Sequence, residues 1–210
     1  MKKLVSLILF SIITTFAFAE HSISLSGVGT IGFESYNLDS NYHDCQNLKF
    51  GVSAQYVNVF KNGFSVGADI TVLGTNYTDV VESNNIRGTI NSDGSGISVA
   101  PIVGWSYIGD VAFIQLLVYP IIYETVKYTQ HTPYIISSLG KIEYNTIYED
   151  IERNYFKTGF APTFQWGWKH FKLGIGAGLN VIWFTNHNNE SIKPNIGCEL
   201  SLIEKLTFLF

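Results

Sequence analysis

Charge is scarce in this chain: of 210 residues only 14% are Asp, Glu, Lys or Arg, against 15% aromatic. Long apolar runs are also absent. Beyond the first nineteen residues nothing approaches the roughly 18 unbroken apolar positions of a spanning helix. Basic residues are in deficit: with Lys2 and Lys3 set aside, 11 remain of the 13, against 17 acidic ones, which argues against a nucleic-acid partner. There are two cysteines, Cys45 and Cys198. Export would permit a disulfide, but Cys198 reads as lipid-facing within a strand and Cys45 as a loop residue. Their Cα atoms then exceed the bonding limit of about 7 Å, so two free thiols are expected. His21, His43, His131, His170 and His187 fall at an end, in loops or in a turn without metal-like spacing, so neither a metal nor a cofactor is expected.

What is present begins with a leader. Lys2 and Lys3 form a positive n-region, Leu4 to Phe18 an apolar segment too short to span, and Ala17-Phe18-Ala19 a cleavage site before Glu20. Residues 1–19 therefore read as a signal peptide and 20–210 as one exported β-rich domain. No Cys follows the cleavage site, so the leader is not that of a lipoprotein.

The chain's strongest signal is the period-two alternation from Phe156 to Phe184, which only strands produce over such a length. Phe156, Phe160, Phe164, Trp166 and Trp168 share one face. After a turn at Lys169-His170 the same face resumes as Phe171, Leu173, Ile175, Ala177, Leu179, Val181 and Trp183. The opposite face is mostly Gly, Ala, Thr and Asn. A soluble barrel would expose a charged face, whereas small neutral residues suit a narrow lumen and large apolar ones a lipid-facing band ending in aromatic girdles.

The rest repeats this plan. Strands are read at 22–35, from Leu48 to Tyr56, from Phe64 to Val72 after the turn Lys61-Asn62-Gly63, from Ile97 to Tyr107, from Val111 to about Tyr123, and from Asn195 to Phe210. The fifth is apolar on both faces, so its orientation is open; a two-residue turn at Gly109-Asp110 would put Gln115 and Tyr119 in the lumen. Polar stretches at 36–47, 74–96, 124–154 and 185–193 read as loops, the third as strand extensions above the membrane or, in the minority view, two further spanning strands. Short turns alternating with long loops give an eight-stranded up-and-down transmembrane β-barrel, with ten strands as the alternative. Only Glu204 breaks the alternation of the last strand, and it is expected at the periplasmic interface or in a bend.

The leader, the girdles and an alternating terminal strand of Leu206, Phe208 and Phe210 resemble the small outer-membrane barrels of the OmpA, OmpX and OmpW kind. The resemblance implies a bacterial outer-membrane location, outer-membrane lipid as surroundings, and an assembly machinery that recognises the terminal Phe strand. It is a resemblance of architecture, which hosts pores, adhesins, enzymes and structural proteins alike.

On the lumen face Glu34, Asp69 and Glu199 balance Lys49, Lys157 and Lys172. In an interior just wide enough for side chains these six are expected to pair, Glu34 with Lys49 near the outer rim; for Lys157, near the mouth, a simply hydrated rim charge is the equal alternative. Gly174, Gly176 and Gly178 would make room for Gln165. Tyr128, Tyr134, Tyr144 and Tyr148 in the longest loop suit an extracellular contact surface, so adhesion or host contact by a surface-interaction or structural protein is the leading functional expectation. A narrow porin-like channel for small solutes is second. A barrel enzyme like the lipid A palmitoyltransferase, with His43, Asp93 and Ser95 cast as its catalytic groups, is third and disfavoured by the polar lumen.

Overall fold

The computed structural model describes residues 20–38, 41–83, 86–138, 141–187, 190–192 and 194–210; the expected leader lies outside them. The described strands are β1 (Glu20–Leu38), β2 (Asn41–Val59), β3 (Phe64–Ser83), β4 (Ile86–Ile108), β5 (Ala112–Ser138), β6 (Lys141–Trp168), β7 (Phe171–His187), β8 (Glu190–Ile192) and β9 (Ile196–Leu209). Each pairs antiparallel with its sequence neighbour around the ring, and β1 against β9 closes it. The three-residue β8 pairs only with the outer end of β7, a stub of the eighth spanning strand set off from β9 at Pro194 and Asn195. The fold is an all-β, eight-stranded, up-and-down barrel.

The alternation of the sequence becomes the two faces of the wall. On β1 Ile23, Leu25, Ile31 and Phe33 are exposed, whereas Ser22, Ser24, Ser26 and Thr30 are buried. An apolar outer face recurs on every spanning strand, and it is what a bilayer demands of a closed ring that leaves no backbone edge in hydrocarbon. Tyr56, Phe64, Trp105, Tyr107, Trp166, Trp168, Phe208 and Phe210 form an exposed girdle at the short-turn end, and Phe33, Tyr123 and Trp183 mark the other. Gly63, at φ 82°, supplies the left-handed residue of the 61–63 turn, with Phe60 and Phe64 stacked 5.9 Å apart across it. Trp168 faces Phe171 at 6.1 Å across the turn at Lys169-His170.

Three expectations change. In their described residues the polar stretches at 36–47 and 74–96 are strand rather than loop, Tyr36 pairing with His43 and Asn76 with Asp93, while 124–154 forms the strand extensions expected of it, Tyr128 pairing with Ile151. Above the girdle both faces of a strand can meet water, so polarity there does not mark the end of the ladder. Next, β5 resolves because its inward residues, Phe113 and Leu117, belong to an apolar layer inside the barrel; Gln115 and Tyr119 do point inward, as a short turn predicts. Finally, Glu204 sits in no bend. Its register with Gly27 and Ile175 is unbroken, and its side chain is exposed on the outer face.

Candidate functional site: the lumen and its outer mouth

From the short-turn end upward, the interior is built in layers. The lowest is apolar, with Val57, Val59, Ile102, Phe113, Leu117 and Leu209 buried against one another. Beside it the Lys172 ammonium donates to the carbonyls of Gly109, at 3.0 Å, and Asp110. Lys172 thus ties β7 to the turn before β5 rather than to a carboxylate.

Above this lies an amide layer. The Lys205 ammonium donates to Gln115 Oε1 at 2.7 Å and to Gln55 Oε1, while Gln165 Nε2 donates to the same Gln115 oxygen at 3.1 Å. Asp69 accepts from Ser53 at 2.7 Å, Thr71 at 2.9 Å and Gln55 at 3.3 Å. Glycine makes this layer fit: a Cβ at Gly174 would stand 2.5 Å from the Gln165 side chain, and one at Gly176 2.5 Å from Thr163 Cγ2.

The third layer is a ring of ions. Lys157 Nζ donates to Glu124 Oε2 and to Glu199 Oε1, each at 2.7 Å; Lys49 Nζ donates to Glu199 Oε1 at 2.7 Å and to Glu124 Oε1. Asn180 completes the Glu199 carboxylate at 3.2 Å. Four strands, β2, β5, β6 and β9, thus reach across the lumen to one formally neutral cluster of two ammonium and two carboxylate groups, all buried. Such a cluster survives desolvation because every charge has two opposite partners. A chamber of about 110 Å³ with mixed walls lies between this ring and the amide layer, bordered by Ser53, Thr71, Ser98 and Ser201 and by Leu73, Ile122 and Ile203.

The outermost layer is aromatic. Lys49 and Lys157 sit 4.9 and 5.0 Å from the Tyr155 ring centre. The Arg153 guanidinium lies 4.3 Å over the Tyr77 ring and 5.8 Å from that of Tyr128, and donates to the Tyr77 hydroxyl. Tyr128 and Tyr155 share a hydroxyl contact at 3.2 Å. These contacts are cation–π pairs of the kind that strengthen once desolvated. Beside them, above the outer girdle, Cys45 Sγ donates to Asp79 Oδ1 at 3.4 Å, and His43 bonds the other Asp79 oxygen at 2.8 Å. Burial, reinforced by the Asp79 carboxylate, pushes the Cys45 thiol well up from its ordinary value.

Of the six lumen charges read from the sequence, Lys49, Lys157 and Glu199 meet in the ring, and Asp69 lies in the layer below. Glu34 and Lys49 do not pair. Glu34 stands opposite Cys45 and Lys49 opposite Thr30, so the lysine lies deeper; Glu34 instead accepts from Thr185 at 2.8 Å. Nor is Lys157 a hydrated rim charge, for it is 2% exposed. Sequence reasoning missed Glu124, Lys205 and Arg153. Glu124 and Arg153 fell in a stretch placed above the membrane rather than in the lumen, and Lys205 was hidden by its neighbour Glu204, although strict parity from Glu199 through Ser201 puts residue 205 inward. Tyr128 is interior rather than a surface contact residue; the side chains of Tyr134, Tyr144 and Tyr148 lie outside the described residues. Leu206, Phe208 and Phe210 line the outward face of the closing strand, whose Leu206 and Phe208 pair with Leu25 and Ile23 of β1. The third, enzymatic constellation does not form: His43 points inward to Asp79, whereas Asp93 and Ser95 are exposed on β4. Cys45 and Cys198 are both free.

No protein-family model and no curated protein matches the chain. Among solved structures it is similar to Ail, the attachment invasion locus protein of Yersinia pestis, at 15% identity and a TM-score of 0.47, covering 91% of this chain and 99% of that one. Neisserial surface protein A is similar at 12% identity and a TM-score of 0.43, covering 90% and 97%. The N-terminal barrel of Pseudomonas aeruginosa OprF is similar at 10% identity and a TM-score of 0.32, covering 91% and 99%.

Proposed function

We propose that this protein resides in a bacterial outer membrane, does not conduct, and works at the cell surface through the projecting walls of its barrel. The observation that carries this reading is the contrast between interior and rim. Inside, four layers of side chains succeed one another, and the ion ring spans the lumen with each of its charges partnered. Outside, β5 and β6 run for 27 and 28 residues, where a tilted span needs about 9 to 11. From Tyr123 of the outer girdle to Ser138, β5 continues for roughly 50 Å of strand at about 3.3 Å per residue. A wall of that height has no use in holding the barrel in the bilayer and offers area to an extracellular ligand or host surface.

The test is a hairpin truncation that removes residues 129–149 and joins the strands by a short turn. We expect the shortened barrel to keep its heat-modifiable gel mobility and to lose binding to host-cell surfaces or matrix polymers. Equal binding by both forms would refute the surface role of the hairpin. A second reading, a narrow channel for small solutes, is favoured by the chamber of about 110 Å³ between the ring and the amide layer. It requires the ring and the apolar layer to part.

A further inference from the structure

We propose that two copies of this chain associate in the membrane through the outer face of the β1–β9 seam, with the two Glu204 carboxyl groups hydrogen-bonded to each other at the dimer axis. The inference starts from depth. Glu204 is six residues from Cys198, which pairs with Phe33 of the outer girdle, and six from Phe210 of the inner one. At about 3.3 Å per residue and a tilt of about 45° that distance puts it near the middle of a hydrocarbon core about 30 Å thick. The side chain points outward between Leu202 and Leu206 on its own strand and beside Ile175 of β7, and it has no hydrogen-bond partner among the described residues.

A polar group at that depth needs a partner. Among the described residues the outward face between the girdles carries no Lys, Arg or His, so a head-to-tail contact between unlike faces of two copies would offer it no cation. A carboxylic acid is, however, both donor and acceptor, and two of them satisfy each other reciprocally across a two-fold axis. Such an axis joins like surfaces. The surface next to Glu204 allows the approach. Gly27, its register partner, has nothing within 4 Å of where a Cβ would stand, and Gly29 only the Phe50 ring at 3.8 Å. Two strands of backbone can therefore come close at this point, as small residues allow in membrane interfaces generally. A shallow depression between Leu25, Val52, Trp166 and Leu173 surrounds the carboxyl group.

The inference rests on the outward face meeting hydrocarbon. If the protein proves soluble without detergent, that reading and this one fall together; a monomer in membranes overturns this one alone. The experiment uses full-length protein in native outer membranes with Cys198 replaced by Ser. Glu204→Cys should give a disulfide-linked dimer on mild oxidation, whereas Val99→Cys, on β4 across the barrel, should not. No cross-link from position 204, a cross-link to a different protein, or equal yield from both positions overturns the proposal. In sedimentation equilibrium in detergent, Glu204→Gln should keep the dimer through its amide, while Glu204→Leu should lower the association constant about tenfold, the effect of one hydrogen-bonded pair in a membrane. Unchanged dimerisation of Glu204→Leu would remove the carboxyl group from the account.

Discussion

The ion ring and the amide layer lie next to each other in one lumen and handle buried charge in opposite ways. In the ring, Lys49 and Lys157 share Glu124 and Glu199, so four long side chains from four strands neutralise one another. In the layer below, the Lys205 ammonium rests on the amide oxygens of Gln55 and Gln115 without a carboxylate in contact. The first arrangement depends on all of its members, because removing one leaves an uncompensated charge. The second is a network of dipoles whose members substitute for one another more readily.

The largest effect should come from breaking the ring. Glu199→Leu leaves both lysines on a single carboxylate, and we expect a loss of about 3 to 5 kcal/mol, the usual consequence of orphaning a buried charge. Urea unfolding in lipid vesicles, followed by gel mobility, measures it. Combining Glu199→Leu with Lys157→Met removes one charge of each sign and should recover more than half of that loss. Failure to recover would mean that the ring is held by shape rather than by charge.

Overfilling the amide layer should cost less. Gly174→Val pushes a branched side chain into the space of Gln165, and about 1 to 3 kcal/mol is expected from overpacking. Lys205→Met should fall in the same range or below it, since it strips the Gln55 acceptor of its donor while Gln115 Oε1 keeps that of Gln165, and it orphans no ion. If Lys205→Met proved as damaging as Glu199→Leu, the distinction between the two layers would be lost. The smallest effect is chemical. Cys45, with its thiol raised by burial beside Asp79, should react with a water-soluble maleimide far more slowly than an exposed thiol at pH 7, and faster as pH rises, because only the thiolate attacks.

How much of this was legible in the residues follows from where water is. Between the girdles one face meets lipid and the other a crowded lumen, so alternation such as Phe160, Phe164 and Trp166 against Gly159, Thr163 and Gln165 fixed both strand and orientation. Where two faces meet similar surroundings the signal fails. The inward Phe113 and Leu117 of β5 look like its outward Leu116 and Val118 because an apolar layer fills that end of the lumen. Above the girdle, residues such as Asp79 and Asn91 of β3 and β4 look like loop although they pair within one ladder. The ring was half visible for the same reason: Lys49, Lys157 and Glu199 lie in alternating strand, while Glu124 begins the stretch that polarity disguised. Which lysine meets which glutamate depends on the stagger of strands around a closed barrel, which no local pattern carries.

Whether these layers keep the lumen shut is read from the conductance of the purified protein in a planar lipid bilayer. The native chain should show no steady channel, and Glu199→Leu, whose ring is incomplete, intermittent openings. A stable, ohmic conductance from the native chain would overturn the plugged lumen and make the chamber part of a pore.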